Sequence, residues 1–219
     1  ARHRLMRLEY LHDPSLAVPV PKRSGGERIL SIPTLRDRLV QRAYVPTFGH
    51  VVERTLHPAM CAYRSGRGVA DAVGSVVEAI PARGPFAAAP DVATAYDTVP
   101  LDALRALLLR DTRGDNLLVD AVLAWMSPGR VRKGVLEPHA GLGLPQGAPL
   151  APILFNRVMA EAAWALDAAG VTFMNYADNW VVMARTEEGC DGAVALLAET
   201  LAVRFGMRLK PETMGVVDL

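Results

Sequence analysis

Two acids stand out because each is set among residues that prefer burial. Asp91 follows "GPFAAAP" and Asp178 follows "VTFMNYA", so each closes an apolar strand or sits in a tight hairpin. A carboxylate in such a place costs free energy unless something answers its charge. Neighbouring strands of one sheet would bring the two together, and adjacent carboxylates repel unless a cation or a shared proton lies between them. Magnesium suits that place, since it prefers hard oxygen ligands and also holds phosphate. Two such ions on carboxylates can clamp an in-line phosphoryl displacement. The same acids also suit strand caps and turns, so spacing alone leaves both readings open. Asn179, directly after Asp178, poses the same choice between turn residue and chemistry.

The elements that must position these acids follow from periodicity. "PVPKRSGGERILSIP" reads as two short strands around a Ser24-Gly25-Gly26 turn, with Lys22, Arg23 and Arg28 near its tip. "TLRDRLVQRAYVPTF" reads as a helix capped by Thr34, with Leu35, Leu39 and Ala43 as its apolar stripe; Pro46 is expected to end or bend it. "GVADAVGSVVEAI" predicts a helix ending before Pro81. A strand then runs into Asp91, and two helical segments and a hairpin-plus-loop, "RVRKGVLEPHAGLGLPQG", come next. A long helix, a strand pair around Asp178-Asn179, a further helix and one or two closing strands complete the chain. This order predicts an α+β fold, an antiparallel sheet covered by helices.

Composition narrows the class. The chain has 219 residues, 51% of them hydrophobic, which is ample for a core and excludes a disordered protein. Net charge is +1, so bulk charge does not announce nucleic acid. The first seventy or so residues are locally basic, with Arg2, Arg4, Arg7, Arg36, Arg38, Arg42, Arg54, Arg64 and Arg67 among them. Such a lobe holds a polyanion or forms a solvated face. Cys61 and Cys190 make neither a disulfide framework nor a zinc pattern, and the five histidines have no ligand spacing. No signal peptide or membrane-spanning run is visible, and the expected setting is the bacterial cytoplasm. The chain begins with Ala1, as expected of a fragment, a processed chain or a renumbered one.

Three words settle the balance between these readings. "DVATAYD" (91–97), "GLPQGAPLAPILFN" (143–156) and "YADN" (176–179) occur in that order, preceded by "PKRSGGERILSIPTLRDRLVQRA" and "AYRSGRGVADAV". Together they resemble the polymerase motifs of reverse transcriptases, in the bacterial group II intron-like branch, over almost the whole chain. The resemblance implies the palm of a polymerase right hand with a fingers subdomain. Fingers would span residues 1–85, with a nucleotide-binding hairpin at 20–32. The palm would span 86–219, with 110–140 a partly fingers-like insertion and the thumb absent. It implies an RNA-directed DNA polymerase, a nucleotidyltransferase using two Mg²⁺ ions, with Mn²⁺ as the alternative, and taking an RNA template, a DNA or RNA primer and dNTPs. A longer parent or a partner would supply the thumb.

Residue by residue, the resemblance makes Asp91, Asp178 and the Val92 carbonyl metal ligands. It makes Tyr96 a steric gate against the 2′-hydroxyl, and Lys22 and Arg28 the grip on the triphosphate, with Arg23 an alternative to Lys22. Gln146 would touch the nucleotide, and Gly147 would let the backbone come close. Arg64 and Arg67 would contact nucleic acid. The chain departs from the family pattern at two points. Asn179 stands where a second acid is usual, and Thr213 of "LKPETM" stands where a lysine is usual. Lys210 is nearby, but strand alternation would turn it to the other face. These departures raise two further readings: a weakened nucleic-acid-binding module, or a phage-defence polymerase making untemplated product.

Overall fold

The computed structural model describes Arg7 and residues 9–22 and 25–219; Arg23 and Ser24 of the first turn, with Arg2, His3 and Arg4, lie outside the described residues. The first elements are β1 (Ser15–Pro21), β2 (Glu27–Ile32), α1 (Leu35–Glu53), α2 (Val69–Arg83) and β3 (Phe86–Ala88). Next come α3 (Leu101–Asp111), α4 (Asn116–Met126), β4 (Arg130–Arg132), β5 (Val135–Glu137) and α5 (Ala151–Ala168). The last are β6 (Thr172–Tyr176), β7 (Asn179–Ala184), α6 (Glu187–Phe205) and β8 (Val216–Asp218). They gather into two compact units, each made of two separated segments: residues 1–54 with 96–154, and residues 55–95 with 155–219.

In the first unit β1 and β2 pair antiparallel from Leu16↔Ile32 to Pro21↔Glu27. Their turn needs φ values of +89° at Gly25 and +76° at Gly26, which glycine adopts without a Cβ penalty. The β4–β5 hairpin does not stand alone. β4 lies parallel to β1, giving one mixed sheet in the order β2-β1-β4-β5. Local periodicity shows two hairpins and cannot show that they join.

Helix α1 corrects the expected apolar stripe. Leu35 and Leu39 are 73% and 63% exposed, and the buried face carries Asp37, Val40, Gln41, Phe48 and Val52. Polar residues go inside because donors meet them there. The Asp37 carboxylate accepts from the Tyr10 hydroxyl (2.8 Å), the Thr34 hydroxyl (2.6 Å) and the Asp13 N–H (3.2 Å). Burial and this acceptor push the Tyr10 hydroxyl up to about 12. Gln41 accepts from the Leu150 N–H (3.3 Å) and contacts His12 Nδ1 (3.2 Å). His12 stacks on Trp125, whose indole N–H donates to the Tyr10 carbonyl at 2.7 Å. Thr34 caps the helix as expected. Pro46 does not end it, and α2 continues through Pro81. In α1 the hydrogen bond lost at Pro46 is offset by burial of Phe48 and Val52 in the turns that follow.

The second unit holds an all-antiparallel sheet in the order β6-β7-β3-β8. Helix α2 packs on β6 and β7, and α6 on β3, β7 and β8. Ala72 and Val76 of α2 meet Met174, Tyr176 and Val181, with Cys61 beside them. From Phe155 to Leu166, α5 is almost wholly buried, except around Trp164. Buried Arg157 is balanced by Glu161 at 3.0 Å, which Arg204 also meets. Asn156 donates to the Ala62 carbonyl at 2.7 Å, a structural bond. Among the described residues no helix is long and apolar enough to cross a membrane.

Candidate active site

Backbone pairing places the two acids side by side. β6 and β7 run into each other through Ala177 and Asp178, with Tyr176 opposite Asn179 as the last pair. So short a turn requires a left-handed residue, and Ala177 takes φ +58°. Asn175 holds that strained residue. Its side-chain amide, fully buried, donates to the carbonyls of Ala177 (2.9 Å) and Asn179 (3.2 Å). The Asn175 backbone in turn bonds to Ala59 and Cys61 at 3.0 and 2.9 Å, clasping the hairpin to the 57–64 loop. The sequence reading passed over Asn175; its signal was a polar residue inside "TFMNYA", where every buried neighbour is apolar.

Beyond β3 the chain runs alongside this hairpin. Asp91 bridges to Asn179, the Val92 N–H donates to the Asp178 carbonyl at 3.2 Å, and the Trp180 N–H donates to the Pro90 carbonyl at 3.0 Å. These bonds turn the peptide edge of Val92 toward the hairpin, while its side chain is 1% exposed. The first carboxylate and the hairpin carboxylate therefore share one corner of the sheet.

The other flank corrects the expectation for Lys210. Residues Pro211–Thr213 form a 3₁₀ turn with Lys210 at its N-cap. Residues three apart in such a turn lie on one side, so strand alternation does not apply. Both reach Asp91. The Thr213 hydroxyl accepts from the Asp91 N–H (3.0 Å) and donates to the Lys210 carbonyl (2.8 Å), and the Lys210 ammonium donates to Asp91 Oδ2. The hydrogen bond to Asp91 holds the Lys210 amine above its ordinary range, with the charges of Asp91, Asp178 and Glu212 adding to it and burial opposing. Asn179 is exposed, and its amide donates to Asp178 Oδ1 at 3.3 Å.

This donor set fits a hard divalent ion. Asp91 Oδ1 is buried without a hydrogen-bond partner, beside a second, half-buried carboxylate and a backbone edge. Among the described residues no group of three or more His, Cys, Asp or Glu is assembled. A magnesium ion here would complete its octahedron with water or phosphate oxygens, as that ion commonly does.

The residues expected at the nucleotide belong to the first unit. Lys22 and Arg28 are exposed, and among the described residues neither side chain has a hydrogen-bond or ion-pair partner. The Gln146 side-chain amide donates toward both oxygens of Asp97 at 3.4 Å, and the Gln146 backbone carbonyl accepts from the Ser31 N–H at 2.7 Å. Gly147 takes φ +114°, where a Cβ would stand 3.1 Å from the Ser31 carbonyl oxygen. The backbone that Gly147 lets approach here is that of β2. Tyr96 is half-buried in the 3₁₀ turn Ala95–Thr98, and its carbonyl accepts from the Leu144 N–H at 2.7 Å. In the second unit Arg64 donates to the carbonyls of His57 and Met60 at 2.8 and 2.7 Å, and Arg67 donates to that of Pro58. Both arginines brace their own loop.

A family model described as reverse transcriptase (RNA-dependent DNA polymerase) matches residues 20–216. Protein YkfC of Escherichia coli (strain K12) is 30% identical over 167 residues, covering 73% of this chain and 42% of that protein. An uncharacterized 91 kDa protein in the cob intron of Schizosaccharomyces pombe is 28% identical over 152 residues, 68% of this chain and 18% of that protein. The chain thus spans less than half the length of these curated relatives. Among solved structures, telomerase from Candida albicans in complex with a TWJ fragment of telomeric RNA matches with a TM-score of 0.69 at 12% identity, covering 97% of this chain and 43% of that one. Apo telomerase from Candida Tropicalis matches with a TM-score of 0.68 at 12% identity, covering 95% and 45%. At such identities the likeness is one of fold.

Proposed function

This chain belongs to the reverse transcriptase (RNA-dependent DNA polymerase) family, and we propose that it extends a primer 3′-hydroxyl with deoxynucleotides on an RNA template. The observation that carries this reading is the corner formed by Asp91 and the Asp178 hairpin, with Asp91 Oδ1 buried and unpartnered. Asp91, Asp178 and the Val92 carbonyl would hold two Mg²⁺ ions, or Mn²⁺ in their place. When bound, such ions lower the pKa of the attacking hydroxyl and stabilise charge on the phosphoryl group and the leaving pyrophosphate.

The chain's own residues do the positioning. Asn175 and the Ala59–Cys61 clasp keep the hairpin rigid, so that Asp178 does not drift from Asp91. Lys22 and Arg28, without other partners among the described residues, meet the triphosphate from a hairpin whose glycine turn lets it adjust. Gln146, oriented by Asp97 and by the bond from Ser31, faces the nucleotide. Tyr96 sits under the sugar and leaves no room for a 2′-hydroxyl. Arg64 and Arg67 brace their loop and would present it to a template phosphate. In this reading fingers cover residues 1–85 and palm 86–219, and the primer is DNA or RNA.

A second reading, a weakened nucleic-acid-binding module, draws on Asn179 and on the Lys210–Asp91 pair, which together make the corner less negative. One assay separates the two: a primed RNA template with dNTPs and Mg²⁺, comparing the chain with its Asn179→Asp and Asp178→Ala variants. Extension by the starting chain, lost on the order of 10³-fold in Asp178→Ala, is the expected result. Extension only with Asn179→Asp supports the weakened module. Equal extension by Asp178→Ala removes the metal assignment. Ribonucleotides supplied in parallel test Tyr96, whose replacement by alanine is expected to relax the preference for dNTPs.

A further inference from the structure

The carboxylate that a divalent ion would take already meets a resident cation. Lys210 Nζ donates to Asp91 Oδ2. The backbone imposes this meeting. The Lys210 N–H donates to the Asp91 carbonyl at 2.8 Å, Val92 pairs with Leu209, and Thr213 ties the Asp91 N–H to the Lys210 carbonyl. Thus the lysine Cα is fixed beside the acid, whichever way its stem turns. The stem has freedom to turn, since the Lys210 side chain is 38% exposed while that of Asp91 is only 20% exposed.

We propose that Lys210 is a built-in counter-ion of the carboxylate corner, competing with the divalent ion for Asp91 and so setting the ion concentration at which the site fills. The proposal rests on the reading of Asp91 and Asp178 as metal ligands. An ammonium on Oδ2 and a doubly charged ion on Oδ1 of one carboxylate repel each other strongly. Filling the site therefore means swinging the lysine outward. Asn179 sharpens the competition, because the corner offers two carboxylates and an amide rather than three carboxylates.

Mn²⁺ titration of the purified chain without nucleotide, read from the EPR signal of the free ion, tests this directly. Circular dichroism checks that each variant is folded. Lys210→Met is expected to tighten Mn²⁺ binding about tenfold by removing a unit charge at contact distance. Lys210→Gln, a second neutral variant, is expected to do the same. Lys210→Arg keeps the charge and is expected to bind like the starting chain, as is Lys133→Met, a neutral change at an exposed lysine of the other unit. Unchanged or weaker binding in both neutral Lys210 variants, with Asp91→Asn abolishing binding, overturns the lysine proposal and leaves the metal site standing. Equal tightening in Lys133→Met overturns it as a bulk charge effect. Undiminished binding in Asp91→Asn overturns the carboxylate site itself, and the lysine proposal with it.

Discussion

The sheet β6-β7-β3-β8 and the sheet β2-β1-β4-β5 both have four strands, yet they are built in opposite ways. In the first, all neighbours are antiparallel, and β7 runs Trp180, Val182 and Met183 through the core at 3% exposure or less. In the second, one parallel junction joins two hairpins, and β2, β4 and β5 are mostly half-buried or exposed. The hairpin tips differ as well. The Asp178 tip is braced by a buried side chain and a neighbouring loop. The Lys22–Arg28 tip rests on two glycines, with no side-chain partner among the described residues. Carboxylates that hold metal ions must keep a fixed geometry, whereas cations that grip an entering and leaving anion need room to adjust. Under the proposed function, the difference in construction follows that difference in task.

The comparison can be broken first at its rigid end. Asn175→Leu keeps the branching of the side chain but removes its amide, which leaves strained Ala177 without its support. We expect a loss of about 2–3 kcal/mol and a thermal midpoint lower by about 5–10 °C, with polymerase activity falling as well. A midpoint within a degree of the starting chain would mean that the hairpin needs no brace.

In the first unit a close backbone approach is made at Gly147. Gly147→Ala places a Cβ 3.1 Å from the Ser31 carbonyl at φ +114°, with an expected cost of about 1–3 kcal/mol in chemical denaturation. Retained stability would show that the contact with β2 yields easily. At the hairpin tip the readout moves from stability to substrate binding. Arg28→Ala is expected to raise the dNTP KM about tenfold, as loss of a charge-assisted hydrogen bond does, with the thermal midpoint unchanged. A drop in midpoint with KM unchanged would make this cation structural.

The smallest effect belongs to His12. Burial holds its imidazole below the ordinary value, which is about 6.5. The folded chain therefore keeps it neutral where the unfolded chain begins to bind a proton. Its contribution to stability is complete above about pH 6.5 and declines as pH falls below that value, because protons then favour the unfolded chain. The slope of thermal midpoint against pH between 7 and 5 is expected to flatten in His12→Phe. An identical slope would show that His12 is protonated as readily in the folded chain as in the unfolded one.

Much of the fold was legible because it is local. Thr34 caps α1, Gly25-Gly26 turns the first hairpin, and apolar runs on either side of Asp178-Asn179 mark β6 and β7. The misreadings were failures of local rules against distant partners. Leu35 and Leu39 read as the buried stripe of α1, but the Tyr10–Asp13 segment supplied hydrogen bonds that drew Asp37 and Gln41 inward instead. Pro46 read as an end or a bend and Pro81 as an end, but both helices continue through their proline. Lys210 was read with a strand's period of two, and the segment proved to be a 3₁₀ turn.

The sequence by itself determined the order of elements, the turns and caps, and the two acids at the ends of apolar strands, since each is written in residues a few positions apart. Its ordered motifs also identified the family that the chain matches from residue 20 to 216. Only the tertiary structure decided that Asp91 bridges to Asn179, that Thr213 and Lys210 both close on Asp91, and that β1 joins β4. Those pairings span roughly ninety to 122 residues of chain. Separations of that length are chosen by the packing of whole elements, which no local pattern of side chains encodes.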